Sequence, residues 1–198
     1  CVPGESFLAA MDAFYGSVNP RLISTRHEEG AGIMADVYAK ATGKTGVCLV
    51  TRGPGLTHLS IALHTAMQDS TPLVAFVGQV STQLLNREAF QEINVVEFVS
   101  AVSKWAIELT DSNRVTELVD KAFHVAESGR PGPVVISLPE DIDRGDCIQQ
   151  PVSRNADKIS QSITEEGART ISDMIRVAER PCIVAGEGVL RSNVTDKL

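Results

Sequence analysis

The chain has 198 residues, 43% of them hydrophobic and 22% charged, with a formal net charge of −7 at pH 7. That length holds one full α/β domain and part of another, with the composition of an ordinary soluble globular protein. The acidic balance excludes the basic stripe that nucleic acid demands, and no apolar run reaches the ~18 residues of a membrane span.

The chain opens at "CVPGESF", without methionine or a recognisable signal peptide, and stops at "NVTDKL", which points to a piece of a longer protein. Phe7, Leu8, Met11, Phe14 and Tyr15 share one helical face. "RLIS" (21–24) predicts a short strand. In "STRHEEGAG" (24–32), Thr25 and Glu28 have the spacing of a capping box, in which each side chain satisfies a free helix N–H. Acids in a first turn also suit the helix dipole. Glu28 and Glu29 stand roughly 100° apart around a helix, so they serve different purposes. The helix itself is predicted over 28–42, with Ile33, Met34, Val37, Tyr38 and Ala41 on one face and Gly43 as its stop.

"GVCLVT" (46–51) is apolar throughout, as a parallel strand covered on both faces should be. The turn "TRGPG" (51–55) follows, then a helix to about Asp69. "TPLVAFVG" (71–78) is another buried strand. "AFQEINVVEF" (89–98) is a loop entering a helix, and "SKWAIEL" (103–109) a weaker strand. A helix spans about 114–128, with Asn113 as cap, Gly129 as stop, and Val115, Leu118, Val119, Ala122, Phe123 and Ala126 facing the core. "GPVVISLP" (132–139) is the last buried strand of this set. Residues 146–162 are polar and predict a linker. A helix over "TEEGARTISDMIRVAE" and a strand over "PCIVAGEGV" then open a second α/β unit, 163–198. The alternation predicts an α/β fold for residues 1–145: a parallel sheet with helices on both faces. Ligands of such folds bind at the carboxyl ends of the strands.

Spacing alone leaves the chemistry open. The four cysteines lie far apart without a CxxC, which fits a reducing compartment and no zinc site; Cys48 and Cys182 are expected in the core. His27, His58, His64 and His124 show no metal-ligand spacing and suit ordinary surface or core positions. Trp105 is expected in core packing. "TRGPG" allows a ligand close to the backbone, yet lacks both GxGxxG spacing and a P-loop lysine. "AGEGV" (185–189) is half a dinucleotide fingerprint. At the opening stretch both possibilities stand: Glu28 caps a helix, or it does chemistry.

In order, "VPGESF", "RHEEGAGIMADVYAKATGKTGVCLVTRGPG", "MQDSTPLVAFVGQV", "AFQE" and "AESGRPGPVVISLPEDI" closely resemble the N-terminal, pyrimidine-binding domain of thiamine diphosphate-dependent enzymes of the acetolactate (acetohydroxyacid) synthase group. The resemblance covers about residues 2–143, and the tail from 155 resembles the start of that family's central domain. It implies that Glu28 is the catalytic glutamate. Hydrogen-bonded to a nitrogen of the cofactor's aminopyrimidine, it favours an imino tautomer that deprotonates a weakly acidic ring carbon. The family then decarboxylates a 2-keto acid and joins the product to a second carbonyl, as a transferase or lyase. Glu29 is left as a solvent or cap residue.

Further positions carry over from the same resemblance. Gln91 lies near the cofactor, Phe90 lines the substrate pocket, and Pro3, Gly4, Gly53, Pro54 and Gly55 shape the cleft. Ser70 and Arg130 match positions that contact FAD in flavoprotein members. Glu140 departs from the lysine common there, which bears on the substrate. Mg²⁺ and the diphosphate are held in the family by a C-terminal domain with a GDG…N-type motif, which does not occur here, so no metal-binding residue is assigned. The implied protein is cytoplasmic, a homodimer or homotetramer, and inactive as this piece alone. Other family chemistries remain open: keto-acid decarboxylase, oxidase, carboligase or sulfoacetaldehyde acetyltransferase. So do a non-catalytic dimerisation module and a nucleotide-binding protein using "AGEGV".

Overall fold

The computed structural model describes residues 1–146, 163–192 and 194–197, which fall into two compact units, Cys1–Asp157 and Lys158–Leu198. In the first unit, short helix α1 (Leu8–Ala13) and helix α2 (Glu28–Thr42) precede β1 (Gly46–Thr51). Then come α3 (Arg52–Asp69), β2 (Leu73–Gln79), α4 (Val95–Phe98), β3 (Trp105–Glu108), α5 (Val115–Glu127), β4 (Pro133–Pro139) and α6 (Glu140–Asp143). The four strands form one parallel sheet in the order β1-β2-β4-β3. The predicted parallel sheet with helices on both faces is therefore present.

Successive strand residues alternate between two cores, the period-2 signature of a sheet covered on both sides. Cys48, Val50, Ala75, Val77 and Val135 pack with α2, α3 and α4. Leu49, Val74, Val134, Ile136 and Leu138 pack with Phe7 and with Leu118, Ala122 and Ala126 of α5. The chain steps from β2 past β4 to β3 and then returns. That reversal puts α5 on the face opposite α3 and α4, as right-handed crossovers require.

Several local expectations are corrected. "RLIS" forms no strand: among the described residues its backbone meets Cys1, whose backbone nitrogen donates to the Ile23 carbonyl at 2.7 Å while the Thr25 N–H donates to the Cys1 carbonyl at 2.8 Å. One partner residue is too few for a ladder. Tyr15 lies past the end of α1 and is exposed. Met34, Val37 and Tyr38 of α2 are exposed too, because the helix turns its small residues inward. A Cβ on Gly32 would sit 2.4 Å from the Ala62 Cβ of α3, so these helices meet at a distance only small side chains allow. Asn113 does not cap α5; it sits in a short turn, Ser112–Arg114, where Asp111 accepts its N–H. Trp105 is partly buried under Lys121, whose ammonium lies 4.7 Å from the ring.

In the second unit α7 (Glu165–Val177) forms as expected, with Thr164 accepting from the Gly167 N–H. "PCIVAGEGV" is not a strand: residues 181–186 have no regular structure and Glu187–Arg191 form a short helix, α8. A parallel strand needs a neighbour, and no described residue of this unit supplies one. Cys182 is exposed rather than in a core. The expected linker, 146–162, lies outside the described residues apart from Asp146.

Candidate functional site

β1, β2 and β4 all end on one edge of the sheet, and the residues that leave them build a crevice there. β1 passes into α3 with no intervening loop. Arg52, the first helical residue, takes up this junction with φ of +43°, a conformation side chains rarely adopt. Gly53, Pro54 and Gly55 therefore lie within the first turn of α3, not in a separate loop. The amino-terminal segment crosses the strand ends. A Cβ on Gly4 would lie 2.6 Å from the Thr51 Cβ, and the Ser6 and Thr51 hydroxyls are hydrogen-bonded.

Arg52 ties the crevice floor together. Its side chain is only 8% exposed; one Nη donates to Glu5 at 2.9 Å and the other to Glu140. The unexpected acid at 140 thus serves as partner to a buried guanidinium, where a lysine would leave it opposed. The Phe90 ring lies 5.8 Å from the Arg52 guanidinium and is itself 71% exposed.

Gln91 reaches the same place from the loop after β2. Gly53 N–H donates to the Gln91 carbonyl at 2.9 Å, and a Cβ at Gly53 would press on that oxygen at 3.0 Å. Asn86, Glu88 and Gln91 all have positive φ. Two devices hold this loop. Buried Gln79 donates to the Ile93 carbonyl at 2.7 Å, and Glu92 accepts the N–H groups of Asn86 and Ala89. Those backbone bonds, led by Ala89, hold the Glu92 carboxyl below its ordinary range. Beside the crevice Asp141 accepts from Thr82 backbone and hydroxyl. Burial alone would raise its carboxyl, but the Thr82 bonds outweigh that and lower it.

Glu28 starts α2 at the same edge. His27, not Thr25, caps the helix: its Nδ1 accepts from the Glu29 N–H at 3.3 Å, while the Thr25 hydroxyl donates to the His27 carbonyl at 3.0 Å. The capping box expected between Thr25 and Glu28 is therefore absent. The carboxylate of Glu28, 13% exposed, reaches across to α3, where Oε2 lies 2.9 Å from His58 Nδ1. The His27 and His58 rings stack at 4.6 Å. Glu29 has no comparable contact; its carboxylate is 4.0 Å from His27.

His27, Glu28 and His58 place three ligand-type atoms within 4.8 Å of one another. The cap uses the lone pair of His27 Nδ1, which puts that ring's proton on Nε2. In this structure the three are linked through hydrogen bonds and ring stacking.

Gly4, Gly53, Phe90 and Gln91 are brought together at Thr51–Gly53, while Glu28 meets the second turn of α3 at His58. Ser70 and Arg130 meet each other elsewhere. Ser70 caps the far end of α3, ~26 Å along the helix from Arg52. There Arg130 Nε donates to the Ser70 hydroxyl at 2.8 Å, and one Nη donates to the Met67 and Gln68 carbonyls. Sequence reasoning missed His58, Arg52, Glu5 and Gln79. The "EDI" acids after β4 and the histidine after "GPG" were visible, but nothing in linear spacing joins 28 to 58 or 52 to 140.

Residues 1–98 match the family model described as "Thiamine pyrophosphate enzyme, N-terminal TPP binding domain". A "Probable acetolactate synthase large subunit" of Methanococcus aeolicus is 39% identical over 202 residues, 99% of this chain and 34% of that protein. An "Acetolactate synthase catalytic subunit, mitochondrial" of Aspergillus candidus is 35% identical over 96% of this chain and 29% of its own length. An "Acetolactate synthase large subunit" of Corynebacterium glutamicum is 34% identical over all of this chain and 32% of its own. The chain thus spans about a third of the length of the curated relatives it matches.

Proposed function

We propose that this chain, which is acetolactate synthase-like and whose residues 1–98 belong to the thiamine pyrophosphate-enzyme N-terminal domain family, forms the pyrimidine-binding side of an enzyme acting on 2-keto acids. The reaction is decarboxylation followed by joining to a second carbonyl. The supporting observation is Glu28: a largely buried carboxylate at the strand-end crevice, held by one oxygen, with no described partner on the other.

The residues fit the cofactor. Gly53 lets the first turn of α3 close on the Gln91 carbonyl, where a Cβ would press at 3.0 Å, and Glu28 Oε1 is a charged acceptor with no described partner. Thiamine diphosphate, when bound, supplies a carbon nucleophile for carbonyl chemistry. Glu28 would accept a proton-bearing pyrimidine nitrogen and share that proton, a charge-assisted bond strengthened where water is scarce. Gln91 would orient the ring edge. Phe90 would cover the substrate carbonyl and exclude water. Arg52, held by Glu5 and Glu140, keeps the floor rigid while Pro3, Gly4, Pro54 and Gly55 set its shape.

Mg²⁺ and the diphosphate belong to a part of the protein outside this chain. The protein is a homodimer or homotetramer in the cytoplasm, with residues 1–145 as the pyrimidine domain and 163–198 opening a central domain. If FAD is retained, Arg130 offers it the Nη that neither Ser70 nor the helix carbonyls engage. In the full-length protein, Glu28→Gln should cut turnover about 100-fold or more, the usual worth of a proton-transfer group, with the thermal midpoint unchanged. Wild-type rates in that variant, with a panel of 2-keto acids as substrates, would remove Glu28 from the chemistry.

A further inference from the structure

We propose that His58 is a positioning residue for Glu28, an inference that rests on the role of Glu28 just proposed. Its Nδ1 lies 2.9 Å from Glu28 Oε2. An ionised carboxylate only accepts, so the imidazole donates through Nδ1–H. One oxygen of Glu28 is thereby fixed and the other left available to the crevice.

Three successive contacts build this bracket. The N-cap bond from the Glu29 N–H fixes the His27 ring and places its proton on Nε2. The His27 ring stacks on that of His58 at 4.6 Å with an interplanar angle of 29°, which restricts the turning of His58. His58 in turn holds Glu28. The two histidines have opposite tautomers, one protonated at Nε2 and its neighbour at Nδ1.

A carboxylate at a helix start could otherwise swing among rotamers, since the helix dipole favours its charge without fixing its direction. Catalytic groups lose much of their effect when misplaced by about 1 Å. His58 comes from a different helix than Glu28, so it also sets the separation of α2 from α3 at the crevice. The side chain is half exposed, at 53%, so its removal from a helix surface leaves no cavity.

The test uses the full-length protein. Imidazole ¹⁵N spectra of the cofactor-free wild type should show His58 protonated at Nδ1 and His27 at Nε2, and Glu28→Gln should abolish the preference at His58. His58→Ala should weaken thiamine diphosphate binding, measured by calorimetry with Mg²⁺ present, by about tenfold, the worth of one bond to a charged group. His58→Asn, whose Nδ2 stands where the imidazole Nδ1 was, should restore affinity to within about threefold. An averaged His58 tautomer, or His58→Ala binding as the wild type does while Glu28→Gln is impaired, overturns this inference alone. No binding by the wild type overturns the parent reading, and this one with it.

Discussion

Glu92 shows how one carboxylate can hold a strained loop in place. The loop it closes includes three residues with positive φ, Asn86, Glu88 and Gln91, and its bonds to backbone N–H groups depress its carboxyl. A group whose folded pKa lies below its unfolded one stabilises above the unfolded value and loses that contribution as pH falls through the folded one. The 86–92 loop should therefore hold at neutral pH and loosen under acid conditions. Glu92→Gln, which weakens both acceptors, should speed hydrogen exchange at the Asn86 and Ala89 amides already at pH 7, measured by mass spectrometry. Unchanged exchange would show that Gln79 alone suffices. Arg52 is a second such residue. Its two carboxylate partners come from opposite ends of the domain sequence, Glu5 and Glu140. Only the fold brings them together, so no spacing rule could have found the pair.

At the scale of elements, α2 is the instructive case. Its limits, Glu28–Thr42 with a left-handed Gly43, are the expected ones, although His27 rather than Thr25 caps it. Its facing is not. Hydrophobicity favours the stripe of Met34, Val37 and Tyr38, yet Ala31, Gly32, Ala35 and Ala39, with the ion-paired Asp36, are the ones inside. Small residues decide because α3 approaches too closely for large ones. Gly32→Ala should accordingly cost about 1–3 kcal/mol in urea unfolding, the usual cost of overpacking; a change under half that would mean the helices part easily. The strands were more legible. Runs such as "GVCLVT" and "GPVVISLP" are apolar on both faces, and each became a strand within a residue or two of its expected bounds. "PCIVAGEGV" starts on a similar apolar run but has no neighbouring strand among the described residues; 181–186 stayed irregular and Glu187–Arg191 turned helical.

Over the whole first unit, the two ends of the sheet do different work. The carboxyl end gathers Glu28, Arg52, Phe90 and Gln91 from three stretches of sequence. The amino end is closed by Arg130, which satisfies carbonyls at the last turn of α3. Arg130→Ala should lower unfolding free energy by about 1 kcal/mol and leave thiamine diphosphate affinity untouched; a drop in that affinity would mean the ends are coupled. Flavin titration of the same variant tests the contact proposed for FAD. The crevice was legible in outline because strand-to-helix turns are easily read from alternation. Its wiring was hidden, since hydrogen bonds between α2 and α3 depend on how two helices lie side by side.

Cys48 lies in the centre of β1, fully covered, and burial pushes its thiol up to about 12. Iodoacetamide reacts with the thiolate, so this sulfur should stay unlabelled for as long as the sheet stays closed. Cys182, in the other unit, is open to reagent from the start. One alkylation time course, resolved by peptide mapping, would then time the breathing of the sheet against an internal standard, with no label added.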